Sequence, residues 1–213
     1  MIEYSGRVLQ PTLLDRLDDP APGPVGRGAR RLPLAGGAWV DLRMGWLAGA
    51  ESLFEALLEG VDWRGDRRLM YDTVVDVPRL TRHYGAGDEL PHPVLESCRL
   101  ALGAHYRAEL GEEFSTVGLC LYRDGRDSVA WHGDRIGRSR TEDTMVAILS
   151  LGDRRPLLLR PRGGGRSVSL PLHQGDLVVM GGSCQRTWEH CIPKTRKPVG
   201  PRISVQFRPR GVA

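Results

Sequence analysis

FSTVGLCLYRDGRDSVAWHGD, residues 114–134, holds two short β-type runs, VGLCLYR and SVAWH, separated by the turn signal RDGRD. Six more such runs follow: MVAILSL, PLLLRP, SVSLPL, DLVVMG, TWEHCI and RISVQFR. GDRRP, RGGGR, HQGD and PVGP punctuate them, where Gly, Pro and Asp favour turns. Eight short strands at close spacing predict an all-β sandwich or barrel, of which a jelly roll is one form.

Upstream of residue 114 the pattern is helical. In AGAESLFEALLEGVDW, residues 48–63, Ser52 with Glu55 reads as a capping box. Leu53, Phe54, Leu57 and Leu58 form an apolar stripe, and Gly60 is the expected stop. A second helix is expected from about Pro93 to Leu110, with Val94, Leu95, Cys98, Ala101, Leu102 and His105 near helical spacing and Gly111 as terminator. The expected fold class is therefore α+β, mainly β, with N-terminal helices packed on a C-terminal β-domain. Residues 15–38, rich in Pro, Gly and Arg, read as an irregular arm.

The chain has 213 residues, 40% of them hydrophobic, which suits one domain with an appendage. Its start lacks the charged and apolar regions of a signal peptide, and no apolar run is long enough for a membrane span. A soluble cytoplasmic monomer is the expectation. Cys98, Cys120, Cys184 and Cys191 show no CxxC pair and read as reduced thiols. The net charge of +4 is carried by arginine clusters, GRGARR, WRGDRR, RIGRSR and RPRGGGRS, suited either to phosphate contact or to a solvated surface.

His132 and Asp134 close the opening stretch. On a strand, positions i and i+2 point the same way, so both can meet one metal ion. A third ligand must come from elsewhere, and His190 in TWEHCIP stands on an expected strand. Two His and one carboxylate on one face is the usual set for non-haem Fe(II), leaving open positions for a co-substrate and dioxygen. His83, His92, His105 and His173 fit less well, lying in loops or on a helix face. In RISVQFR, Arg202, Ser204, Gln206 and Arg208 share one face, and Ile203, Val205 and Phe207 the other. Such a strand spans about 20 Å, so its two arginines can bracket a small dicarboxylate such as 2-oxoglutarate. The alternative is an edge strand with solvated arginines.

On these motifs the chain resembles the AlkB family of Fe(II)- and 2-oxoglutarate-dependent dioxygenases. The resemblance runs from about Trp46 to Arg208 through LYRDGRDSVAWHGD, SLGDRRPLLLRP, GDLVVMGGSCQRTWEHCIPK and RISVQFR, in the family's order. WRGDRRLMYDTVVDVPRLTRHYG looks like the family's nucleotide-recognition lid. The resemblance implies a double-stranded β-helix (jelly roll) with an arm over residues 1–45, a dioxygenase domain over 46–213, a lid near 63–92 and a core near 114–208. It implies Fe(II) at His132, Asp134 and His190, with Arg202 on the distal carboxylate of 2-oxoglutarate and Arg208 and Tyr122 completing that pocket. The implied activity is oxidative demethylation of 1-methyladenine- and 3-methylcytosine-type bases, in DNA rather than RNA, with release of formaldehyde, succinate and CO2.

Two positions depart from the family pattern. Cys120 stands where the family usually has Asn, and Ile136 where many members carry an acidic residue that touches the flipped base. Met70, Tyr71 and Tyr84 are the candidate walls for such a base, with Arg79 as a polar contact. Arg138, Arg140, Arg162 and Arg166 are candidate phosphate contacts. Two other readings stand beside this one: an Fe(II)/2-oxoglutarate oxygenase acting on RNA, protein or a small molecule, and a β-barrel binding module without turnover.

Overall fold

The computed structural model describes residues 2–3, 19–70, 73–134 and 141–212, without the side chains of residues 2–3, 66–70 and 73–76. The eight expected strands from residue 114 all form. They are numbered here after four upstream strands: β1 (Arg30–Pro33), β2 (Ala38–Arg43), β3 (Arg64–Met70) and β4 (Thr73–Tyr84). Then come β5 (Phe114–Tyr122), β6 (Val129–His132), β7 (Val146–Gly152) and β8 (Arg155–Pro161). The last four are β9 (Val168–Leu172), β10 (Leu177–Gly182), β11 (Trp188–Ile192) and β12 (Arg202–Pro209).

A major sheet runs in the order β1-β2-β10-β7-β12-β5-β4-β3. A minor sheet runs β9-β8-β11-β6, with residues 2–3 paired in parallel on β9. All other pairings are antiparallel. Two antiparallel sheets with strands far apart in sequence paired side by side make the sandwich expected from the strand count, in the jelly-roll form that the resemblance implies. The lid-like segment is the β3–β4 hairpin, which continues the major sheet beyond β5.

Strand parity builds two cores. On β12, Ile203, Val205 and Phe207 turn to the helix side, where they join Leu53, Leu57, Leu95 and Leu102 in one buried cluster. Val146, Ile148, Val178 and Met180 face the minor sheet's Leu157, Leu159, Leu170 and Leu172 in the other. Each such apolar side chain contributes about 1.5–3 kcal/mol when fully buried. Arg202, Ser204 and Gln206 sit on the opposite side of β12 from the helices and are buried as well. The solvated edge-strand alternative is thereby excluded, since β12 lies between β7 and β5.

Helix α2 (Pro93–Leu110) begins with Pro at its first turn under His92, whose Nδ1 accepts the Val94 N–H at 3.2 Å, and ends at left-handed Gly111. Its stripe uses buried Tyr106 where the sequence reading favours His105, which is exposed. Helix α1 (Ala50–Gly60) corrects the capping-box reading. It starts two residues before Ser52, because Gly49 at φ 61° turns the chain and accepts the Leu53 N–H.

The irregular arm is also corrected in part. Arg30–Pro33 pairs with β2, and Arg31 donates to both Asp41 carboxylate oxygens at 2.8 and 2.7 Å. The same guanidinium meets Glu109 on α2 and lies 3.7 Å over the Trp39 ring. Tyr106 Oη donates to Asp41 at 2.9 Å, tying the arm to the helix layer. Three of the four β1 residues are exposed, so the strand carries no apolar alternation to read. Among the described residues, no helix is long and apolar enough to cross a membrane.

Candidate active site

β6 and β11 are neighbours in the minor sheet, and His132 and His190 are direct register partners. Their ring centroids lie 4.2 Å apart. His132 Nδ1 stands 2.8 Å from the Ala130 carbonyl, which can only accept. Nδ1 therefore carries the proton and Nε2 keeps a lone pair for a metal. Asp134 follows just past the end of β6, with Oδ1 at 3.6 Å from His132 Nε2. One ligand atom from each of the three residues lies within 4.8 Å of the others. Among the described residues, no other group of three or more His, Cys, Asp or Glu comes together in this way.

The intervening residue must be glycine. A Cβ on Gly133 would stand 2.7 Å from the Gln185 carbonyl oxygen and 3.2 Å from that of Trp188, both backbone atoms that cannot swing aside. Gln185, in turn, accepts the Asp134 N–H on Oε1 at 3.0 Å. The second Asp134 oxygen, Oδ2, accepts from Arg208 Nε at 3.2 Å and forms an ion pair with Arg208 Nη2 at 3.2 Å. Burial is the largest influence on the Asp134 carboxyl and pushes it up. The charge of Arg208 leads the influences that outweigh it and hold the group below its usual value. Burial, reinforced by His132, pushes His190 down to about 3, which leaves its ring neutral and ready to ligate. The donor set is one anion and two imidazoles, with no thiolate.

The other half of the site starts at Arg202, the register partner of Tyr122. Arg202 is 1% exposed. Its Nε donates to Ser150 Oγ at 3.1 Å, while Nη1 is buried with no partner. Burial lowers the guanidinium to about 10, so it remains charged at neutral pH. A buried cation with an unpaired donor is costly unless an anion joins it. A guanidinium in that state suits a carboxylate, so the residues present fit 2-oxoglutarate. Burial raises the Tyr122 phenol well above its ordinary value, which keeps it a neutral donor. One cavity with about 440 Å³ of empty space collects His132, His190, Arg202, Arg208, Tyr122 and Cys120.

The remaining sequence candidates divide. Arg79 on β4 lines the same cavity, with its Nε buried and unpaired. Tyr84 is not brought there. It is five residues from Arg79, an odd step that turns it to the opposite face, and it packs in the helix-side core. Arg162 is a brace rather than a free cation: its Nε donates to the Arg186 carbonyl at 3.0 Å and its Nη1 lies 3.5 Å from Glu189. Arg166 is exposed. The Met70 side chain, Tyr71, Ile136, Arg138 and Arg140 lie outside the described residues.

Gln185 and Arg155 have no role in the sequence reading. Arg155 is buried and donates to the carbonyls of Asp124, Asp127 and Pro193, pinning the loop before β6 to the segment after β11. The paired arginines of GDRRP are the only signal for it in the sequence, and its partners are placed by distant chain. Three of the four thiols are inert by environment: burial lifts Cys98 and Cys184 to about 12 and Cys191 to about 11.

A jelly roll presenting two histidines and an aspartate beside a buried, anion-ready arginine defines a mononuclear iron oxygenase that takes an oxo-acid co-substrate. The family model of the 2OG-Fe(II) oxygenase superfamily matches residues 81–208. The alpha-ketoglutarate-dependent dioxygenase alkB homolog 3 of Bos taurus is 33% identical over 215 residues, covering 86% of this chain and 69% of that protein. The human DNA oxidative demethylase ALKBH2 is 31% identical over 124 residues, covering 54% of this chain and 46% of that one. The chain spans 63–69% of the length of the mammalian homolog 3 proteins it matches. Among solved structures, a Trichoplax adhaerens prolyl hydroxylase superposes with a TM-score of 0.59 at 11% identity, over 81% of this chain and 83% of its own. At that identity the likeness concerns the fold alone. The chain belongs to the AlkB family of 2OG-Fe(II) oxygenases. Its cofactors are accordingly Fe(II), 2-oxoglutarate and dioxygen, and His132, Asp134 and His190 fit the iron-binding triad.

Proposed function

We propose that the chain demethylates N-alkylated bases of the 1-methyladenine and 3-methylcytosine type in DNA, releasing formaldehyde, succinate and CO2. The observation that carries this reading is a single cavity shared by the two histidines of the triad, by Arg202 and by Arg79 from the β3–β4 hairpin. The chain's likeness to a protein named as a DNA oxidative demethylase supports the choice of substrate.

His132, Asp134 and His190 would hold Fe(II), which when bound with 2-oxoglutarate and dioxygen would supply the oxidative chemistry that hydroxylates an N-methyl carbon and yields succinate and CO2. The chain's own residues orient the reactants. Arg202 anchors the distal carboxylate of the co-substrate through its unpaired guanidinium edge, and Tyr122 offers a neutral hydroxyl beside it. Arg208 engages Oδ2 of Asp134 and so leaves Oδ1 toward the histidines. Arg79, with Nε unpaired, is the contact for the base edge, and Met70, Tyr71 and Ile136 are proposed to complete the walls. Arg138, Arg140 and Arg166 are assigned to phosphates, which makes affinity fall with salt. Arg162 is spent instead on the Arg186 carbonyl and Glu189. The hydroxymethyl product loses formaldehyde and returns the base.

The test is the mass of a short single-stranded DNA bearing one 1-methyladenine after incubation with protein, Fe(II), 2-oxoglutarate and air. Loss of one methylene unit only in the complete mixture is expected. Unchanged DNA together with succinate formation, and conversion of the matching RNA, would move the substrate to RNA.

A further inference from the structure

Gln206 lies on the face of β12 that looks between the sheets, 8% exposed, and it lines the cavity without being one of the groups assigned above. Both ends of its amide are engaged. Nε2 donates to Ser204 Oγ at 3.1 Å, and Oε1 accepts from Arg208 Nη1 at 3.2 Å. Cys120 Sγ approaches the same Oε1 at 3.8 Å. Arg208 therefore has Nε and Nη2 on Asp134 and Nη1 on Gln206, which fixes the plane of its guanidinium.

The neighbouring strand makes room for this arrangement. Gly118 on β5 is the register partner of Gln206. A Cβ on Gly118 would stand 2.8 Å from Arg208 Nη1 and 3.0 Å from Gln206 Oε1. Both are ends of flexible side chains, so a methyl there would move the guanidinium and the amide while sparing the backbone. The space that a side chain at 118 would take is filled by the amide–guanidinium contact.

We propose that Gln206 is a positioning residue for the metal, acting through Arg208. By clamping Arg208 it decides which Asp134 oxygen is taken up by the guanidinium and which is presented to the metal beside the histidines. This rests on reading the triad as the iron site. The unit that matters is an amide carbonyl at this spot, whichever strand delivers it. Cys120 pairs with Ser204 and so sits diagonally from Gln206 on the same face, within reach for a side chain one amide long. An asparagine at 120 can therefore take over when Gln206 is shortened.

The experiment is calorimetric titration of Co(II) into metal-free full-length protein, with thermal melts of each variant. Wild type is expected to bind one Co(II). Gln206→Ala and Gly118→Ala are expected to bind it about 10-fold to 100-fold more weakly, the usual cost of disturbing a ligand's outer partner. Gln206→Ala with Cys120→Asn is expected to recover most of that loss, which a purely structural role for Gln206 would not permit. Wild-type affinity in Gln206→Ala, or a double variant as weak as the single, overturns the proposal. Should Gln206→Ala fail to fold, Gly118→Ala decides alone, and unchanged Co(II) affinity there overturns it. Wild type that binds no Co(II) removes the iron reading itself, a failure distinct from equal binding by wild type and variant.

Discussion

Arg155 and Arg202 are both 1% exposed, and their guanidinium carbons stand 5.8 and 5.5 Å from the ring of the same Tyr122. Arg155 directs Nη1 and Nη2 at three backbone carbonyls, of Asp124, Asp127 and Pro193. Arg202 gives Nε to one hydroxyl and holds Nη1 unpaired at the cavity. Burial lowers both guanidiniums, so burial does not tell them apart. Nor does a single unpaired donor, since Arg155 Nε is buried without a partner as well. The cavity does: Arg155 is spent on three backbone carbonyls away from it, whereas Arg202 lines it and suits an anion there.

The largest effect that this contrast predicts lies just outside it, at the metal. Asp134→Ala should lower succinate formation by at least ~1000-fold, since metal charge stabilisation is worth several kcal/mol and each 1.36 kcal/mol is tenfold. Retained 2-oxoglutarate-dependent turnover would remove the triad from the mechanism. Arg202→Met should weaken 2-oxoglutarate by about 100-fold, the result of losing about 3 kcal/mol from a buried charge pair. Melting of the same variant without co-substrate should be unchanged or raised, because an uncompensated buried charge has been replaced by apolar volume.

Arg155→Met should do the reverse. Three carbonyls left without donors cost about 3 kcal/mol, which at about 2–4 °C per kcal/mol lowers the melting temperature by about 6–12 °C. Its 2-oxoglutarate affinity should stay within about threefold of wild type, by the definition of a role confined to structure. A variant that melts normally but loses co-substrate would erase the distinction between the two arginines. The smallest effect concerns saturating Co(II), which at one hundred times its Kd should stabilise wild type by about 2.7 kcal/mol and Asp134→Ala hardly at all. A melting series with and without metal reads this directly.

The contrast is half legible in the sequence. Arg202 stands out because RISVQFR alternates strictly, and parity alone assigns Arg202, Ser204, Gln206 and Arg208 to one face. Arg155, inside GDRRP, looks like a turn arginine, and its three carbonyl partners lie 28–38 residues away along the chain. The same split holds at the triad. His132, Asp134 and His190 are readable from ligand type and strand spacing, whereas Gln185, which accepts the Asp134 N–H, comes from a short helical turn, Cys184–Thr187, that no periodicity announces. Tyr84 misleads because its aromatic identity suggests a base wall while its parity against Arg79 sends it to the core. β1 is hidden because it is held by Asp41 on the neighbouring strand and by Glu109, 78 residues on, and not by its own pattern.

The most direct test of the account compares 2-oxoglutarate with pyruvate, which shares the oxo-acid end but lacks the distal carboxylate, in titrations of Co(II)-loaded protein. If Arg202 is the seat of that carboxylate, wild type binds 2-oxoglutarate about 100-fold more tightly than pyruvate, and Arg202→Met binds the two alike. An Arg202→Met protein that still prefers 2-oxoglutarate by the wild-type margin would contradict it.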